Sequence, residues 1–386
     1  KAGGLMHAVG LVTEYNPFHN GHRYHLNQAR ELTHAEVVVA VMSGNFTQRG
    51  EPTLLDKWQR AQAALTNGVD LVVELPIFMA VQPAHRFAAG ALELLAALGV
   101  DDVVFGAEHP KWDFKQLVAA EQNFTASGFS QYNATFATQF NEQLKDQTGL
   151  SLTDPNDILS FGYHKAQINE RLPLRLHPIQ RRGSQYHDER IEGKIASASA
   201  IRQAVLEHGD FKQAVPVQTA QQLQKLQQVP SWDAMYPMLR NQLIQAPVEQ
   251  LAQIYQMAEG LEYRMKDAAQ RNLNFAGFMK TVKTKRYTYA HLLRVYLYTI
   301  LQLTESQVSD HLKRPYLHVL GFNERGRDYL HSIKKQVELP LLTKIDQNLR
   351  DDLLNLDYRA GKLYQTFTPV EQDLKHAPVI VKGVKE

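Results

Sequence analysis

Two histidines, His19 and His22, flank Gly21 within Val12–Tyr24, VTEYNPFHNGHRY. The apolar run His7–Leu11 precedes this segment and reads as a strand, and Arg23–Leu32 follows and reads as a helix. The pair therefore falls on a strand-to-helix turn. In a parallel α/β sheet, ligands bind at the carboxyl ends of strands, where helix N-termini aim backbone N–H groups at anions. Imidazoles held there can bind a nucleotide's phosphates and stabilise the charge that builds on oxygen as pyrophosphate leaves. A side chain at Gly21 would block close approach of a nucleotide to the backbone. Paired histidines in a turn are also an ordinary surface feature. The preceding strand, the following helix and Asn16-Pro17-Phe18 favour chemistry here.

The elements that must position this pair recur along the first half. Val-rich apolar runs occur at Ala8–Thr13, Glu36–Met42, Val69–Leu75 and Asp101–Phe105. Helical patterns lie between them at Arg23–Leu32, Asp56–Asn67 and Ala84–Leu98, with Gly68 and Gly99 suited to close the last two. Strands alternating with helices predict an α/β fold: a Rossmann-like parallel sheet with right-handed crossovers. Continuous rather than alternating apolar strands predict a sheet covered on both faces. Residues 110–150 read as helical and polar, Asp157–Gln167 as a helix, Leu172–Gln180 as a strand and Arg181–Glu192 as a polar loop. Ser197 or Ser199 can cap a helix over Ala200–Glu207.

Gln213–Pro230 is rich in Gln and bounded by Pro, and beyond it the pattern is helical to about Gln365. The predicted division is a Rossmann-like catalytic domain over 6–215, a linker over 216–230, an α-helical domain over 231–368 and a tail or added short strand over 369–386. The loop Ser43–Pro52, with Asn45, Gln48, Arg49 and Glu51, follows the second strand and is expected to contact substrate. Lys57 and Arg60, on the next helix, are expected to face either RNA or solvent.

Composition narrows the class. The 386 residues are 44% hydrophobic and 21% charged, ordinary for a soluble globular protein, and a net charge of +2 is too small to indicate a partner. The absence of Cys excludes disulfides, thiolate metal sites and a thiol nucleophile, and fits a reducing, cytoplasmic setting. No stretch reads as a membrane span or a signal peptide, and Lys1–Leu5, ahead of Met6, reads as the remnant of an added tag. Charge is concentrated locally. Glu262–Tyr298 carries Arg264, Lys266, Arg271, Lys280, Lys283, Lys285, Arg286 and Arg294 against only Glu262 and Asp267, with tyrosines and phenylalanines interleaved. Basic groups neutralise phosphates and aromatics stack on unpaired bases. Phe275, Phe278, Tyr296 and Tyr298 are assigned to the core, and Lys280, Lys283, Lys285 and Arg286 to RNA contact.

NPFHNGH resembles the H-x-G-H motif of the nucleotidylyltransferase superfamily, with Asn16 where those families usually carry Asp. Lys194–Arg202, KIASASAIR, is similar to the superfamily's second motif, I-S-S-T-x-x-R. More specifically, Gly10–His25, Met42–Phe46, Gln48–Pro52, Asp56–Trp58, Asp70–Pro76, Phe105–Glu108 and Lys283–Thr288 together resemble the bacterial tRNA(Met) cytidine acetate ligase family, in order and at proper spacing. That resemblance implies two steps. Acetate attacks the α-phosphate of ATP to give acetyl-adenylate. The wobble cytidine of elongator tRNA(Met) then takes the acetyl group on its exocyclic amine, forming N4-acetylcytidine. It implies His19, His22, Ser199 and Arg202 as catalytic groups, with Mg²⁺ accompanying ATP and no protein metal ligand assigned. It places ATP on Gly10, Leu11, Val12, Thr13, Glu14, Tyr15, Asn16, Pro17, Phe18, His19, Asn20, Gly21, His22 and Arg23, and on Gly106, Asn156, Asp157, Arg181 and Arg182. Two rivals remain at this level: a small-molecule adenylyltransferase, and a non-catalytic RNA-binding protein on a nucleotide-binding fold.

Overall fold

The computed structural model describes residues 6–122, 136–181, 191, 193–258 and 260–382. The expected sheet is present, with strands β1 Ala8–Thr13, β2 Val37–Ser43, β3 Leu71–Leu75, β4 Asp102–Ala107 and β5 Arg175–Gln180. They lie side by side in the order β5-β4-β1-β2-β3, all parallel. Because β1 has β2 on one side and β4 on the other, the chain reverses its progression at β1. A crevice opens at such a reversal, and the His19–His22 turn lies at the carboxyl end of that strand.

Successive β2 side chains point to opposite faces, and both faces are covered. Val37, Val39 and Val41 enter one core with Leu94, Leu95 and Tyr296, whereas Val38, Ala40 and Met42 enter another with Leu26, Trp58 and Ala61. Asp56 opens the helix Lys57–Thr66 by accepting the Gln59 N–H at 2.8 Å. The helix Ala84–Ala97 packs so closely on β1 that a Cβ on Gly10 would lie 2.8 Å from a Leu95 methyl.

The second half departs from its purely helical expectation. Helices run from Trp232 to Tyr364, but Leu317–Phe322 forms a strand, β6, that pairs antiparallel with β3. Two short strands, β7 Leu341–Leu342 and β8 Val379–Ile380, then pair parallel with β6. The added short strand expected near the C-terminus is therefore present, but the segment is not a loose tail: Gln372 and Asp373 are fully buried. One hydrophobic core runs from the sheet into the helical region, joining Val73 and Phe78 to Trp232, Phe278 and Tyr298. An antiparallel strand from distant sequence pairs with β3 and extends the sheet, which a local hydrophobic pattern does not reveal. Among the described residues, no helix is long and apolar enough to cross a membrane.

Candidate active site

The helix Asn20–Thr33 begins with His19 at its cap position. The rings of His19 and His22 stack with centroids 3.6 Å apart, and Tyr15 and Phe18 close around His22. The His19 backbone N–H donates to His22 Nδ1 at 3.2 Å, so a neutral His22 carries its proton on Nε2 and can donate it to an anion. His19 Nδ1 is buried with no partner among the described residues. Burial, reinforced by Arg181 and Arg202, pushes His19 down to about 3. Burial, with neighbouring His19 and His25, holds His22 well below its ordinary value. His25 is pushed down to about 4, chiefly by burial, and its Nε2 donates to the Val104 carbonyl at 3.0 Å. At neutral pH these rings are uncharged N–H donors rather than cations.

Gly21 matters for a different reason from the one its spacing suggests. A Cβ there would fall 2.9 Å from His19 Cε1, so glycine makes room for the His19 ring itself. Leu11, Tyr15 and Phe18 are buried, which limits what they offer an incoming nucleotide to backbone atoms. Asn16 Oδ1 accepts the Leu54 N–H at 2.9 Å, and the Asn20 amide is tied to the carbonyls of Lys194 and Gln213 at 2.8 and 2.9 Å.

Those last bonds bring the second motif against the first. Ser197 caps the helix Ala198–Leu206, accepting the Ala200 N–H at 3.0 Å, which leaves Ser199 inside the first turn. Arg202 donates to Ser199 Oγ at 3.0 Å and to the Asn16 carbonyl at 3.1 Å. His19, His22, Ser199 and Arg202 thus converge where two helix N-termini meet, a setting that suits a polyphosphate.

The other expected contacts are distributed around this centre. Arg181 is exposed just beyond β5, and its charge reaches His19, His22 and His25; a Cβ on Gly106 would lie 2.7 Å from Arg181 Cγ. Arg182 lies outside the described residues. Asn156 sits within the helix Pro155–Asn169 and donates to Glu108 at 2.6 Å. Asp157 is fully buried and accepts both the backbone N–H of His109, at 2.9 Å, and its ring nitrogen, at 2.6 Å. Glu108, at the end of the FGAE segment, therefore organises the pair.

The loop after β2 is divided in its uses. Asn45 is structural, its side chain binding the Lys57 N–H and Gln372. The Gln48 N–H reaches Glu14 Oε1 at 2.7 Å, in the loop after β1. Lys57 and Arg60 face neither RNA nor solvent. Lys57 is buried between Glu74, at 2.9 Å, and Asp373, at 2.5 Å. Arg60 is fully buried and donates to the carbonyls of Glu14, Ser43 and Gly44 at the ends of β1 and β2, and to that of Leu55 ahead of its own helix. His318 on β6 completes the Lys57 cluster, touching Glu74 at 2.7 Å. Sequence reading missed this cluster because its members are far apart along the chain. The only local signal was a Lys and an Arg on the face of an otherwise buried helix.

In the helical region, Lys280, Lys283, Lys285 and Arg286 are all exposed, and Arg286 lies over the Tyr287 ring at 5.6 Å. Phe275, Phe278, Tyr296 and Tyr298 are buried, as their core assignment required.

Comparison with known proteins agrees with this geometry. The HIGH Nucleotidyl Transferase family model matches residues 6–377. The chain is 67% identical over 376 residues to the tRNA(Met) cytidine acetate ligase of Limosilactobacillus reuteri, covering 97% of this chain and 100% of that protein. It is 58% identical to the ligase of the same name from Limosilactobacillus fermentum, covering 97% and 99%. The crystal structure of apo Thermotoga maritima TmcAL superposes with a TM-score of 0.89 at 30% identity, covering 98% of this chain and 100% of that one. The same protein bound with alpha-thio ATP gives 0.85 at 30% identity over the same shares. The chain belongs to the tRNA(Met) cytidine acetate ligase family of HIGH nucleotidyltransferases.

Proposed function

We propose that this protein joins acetate to the N4 amine of the wobble cytidine of elongator tRNA(Met) at the expense of ATP, releasing AMP and pyrophosphate. Acetate is already a nucleophile, so its attack on the α-phosphate needs placement and charge relief rather than a base. ATP enters as its magnesium complex. Neutral His19 and His22 donate N–H bonds to the phosphate undergoing attack, while Ser199, Arg202 and Arg181 hold the departing pyrophosphate. Glu108 fixes Asn156 for contact with the nucleotide. In the second step the exposed stretch Lys280–Arg286 holds tRNA phosphates while the cytidine leaves its stack to reach the mixed anhydride.

The observation that carries this reading is the Arg202 bridge, which joins Ser199 of the second motif to the backbone of Asn16 in the first. Exchange of radiolabelled pyrophosphate into ATP tests the first step without tRNA. Exchange that requires acetate is the expected result. Exchange that ignores acetate points instead to an adenylyltransferase of another substrate.

A further inference from the structure

The second step releases a proton that the first does not, and the histidines are poor places to put it. As the cytosine amine attacks the acetyl carbonyl, its lone pair forms the C–N bond and the C–O bond to AMP breaks with its electron pair. The nitrogen must then shed a proton. Burial disfavours the protonated form of an imidazole but favours that of a carboxyl. His19 and His22 are therefore weak proton acceptors in this crevice, and a carboxylate in the same surroundings is a better one.

Glu14 is such a carboxylate. It is the first residue after β1, at the strand reversal, and its side chain is mostly covered yet keeps some accessible surface. One oxygen, Oε1, is fixed by the Gln48 N–H at 2.7 Å, and its own carbonyl is held by Arg60 at 2.7 Å. The charges and polar groups that act on it come from three elements: Arg49 and Glu51 of the loop after β2, Arg202 of the second motif, and Tyr163 of the helix Pro155–Asn169. The charge of Arg202, which also bonds Ser199 Oγ and the Asn16 carbonyl, reaches Glu14. Arg49 lies between Gln48, bonded to Glu14, and Gly50, whose carbonyl accepts the Trp232 indole N–H at 3.1 Å. The loop thus spans from Glu14 to the helical region that carries the basic stretch. We propose that Glu14 is the general base of acetyl transfer, its carboxylate taking the proton from the cytidine N4 as the C–N bond forms and AMP departs. Burial, the largest influence, raises Glu14 above the ordinary carboxyl range although Gln48, Arg49 and Arg202 oppose it. That direction suits a base working near neutrality.

This inference rests on the ligase reading, and the experiment separates the two. Preformed ¹⁴C-acetyl-adenylate and unmodified tRNA(Met) are mixed with excess enzyme, and single-turnover transfer is followed from pH 5 to 9. Wild type is expected to lose about tenfold in rate per pH unit below the Glu14 pKa and to level off above it. Glu14→Gln is expected to fall about 10²-fold or more and to lose that acid limb. Glu14→Asp is expected to keep the limb at reduced amplitude. Wild-type transfer without an acid limb, or Glu14→Gln within threefold of wild type with the limb intact, overturns the role of Glu14. The wild-type profile decides even if the variants do not fold. No transfer by wild type at any pH overturns the ligase reading itself.

Discussion

At the residue scale, the site depends on imidazoles kept neutral and close together. His22 is fixed by one hydrogen bond from the His19 backbone and by the rings of Tyr15 and Phe18. On the proposed mechanism, replacing it with Ala removes a preorganised donor to the reacting phosphate. His22→Ala is expected to lower acetate-dependent pyrophosphate exchange by about 10²-fold or more, with little change in melting temperature. Wild-type exchange would remove His22 from the mechanism. Gly21→Ala is a subtler probe. Alanine favours the helix, but its Cβ must displace a His19 ring atom 2.9 Å away. The expected result is at least a tenfold loss in kcat/KM for ATP at unchanged or slightly raised stability. Full activity would mean that the His19 ring position is not critical.

At the element scale, the carboxyl ends of β1 and β2 are held by cations that look superficial in the sequence. Arg60 binds backbone carbonyls there, and Lys57 bridges Glu74 and Asp373 inside the fold. Lys57→Met would leave two buried carboxylates without their partner. It is expected to destabilise the protein by about 3–5 kcal/mol, read from urea unfolding; a change below about 1 kcal/mol would show that the cluster is not ionised as described. This part of the molecule was the least legible in the sequence. The βαβ pattern, the His19–His22 turn and the cap before Ala200 follow from local periodicity and residue type, and each is where it was expected. Ser197 rather than Ser199 takes the cap, which a short run of small residues could not decide. The strand Leu317–Phe322 is a brief apolar run among helices, and its pairing with β3 spans hundreds of residues. His318 reaches Glu74 through that pairing, and Asp373 reaches Lys57 from near the far end of the chain. Such non-local contacts leave no period to read.

At the scale of the whole molecule, buried neutral histidines tie stability to pH. His19 and His25 stand at about 3 and about 4 in the fold, against an ordinary value of 6.5. As pH falls below 6.5 the unfolded chain takes up protons that the folded chain refuses. Stability is therefore full above that value and declines toward pH 4, by up to about 1.4 kcal/mol per pH unit for each such ring. Urea midpoints at pH 7.5 and 5.5 should differ in that direction, in a window above the range where ordinary carboxylates titrate. Equal midpoints would mean that these rings accept protons in the fold or that carboxyls raised by burial, such as Asp357 at about 7, offset them. The exposed stretch of the helical region makes a separate demand. Replacing Lys283, Lys285 and Arg286 with Ala should weaken tRNA binding and reduce the slope of log affinity against log salt by about two to three. Acetate-dependent pyrophosphate exchange without tRNA should stay within about twofold. Loss of both would mean that this stretch also supports the nucleotide site.

The most direct measurement joins both halves of the molecule in one reaction. Protein, ATP, Mg²⁺, ¹⁴C-acetate and unmodified elongator tRNA(Met) are incubated, and the label in RNA is compared with AMP released. Label confined to the wobble cytidine, equal to the AMP formed, is the result this account predicts. AMP formed without labelled RNA, or label in RNA without AMP, would contradict it.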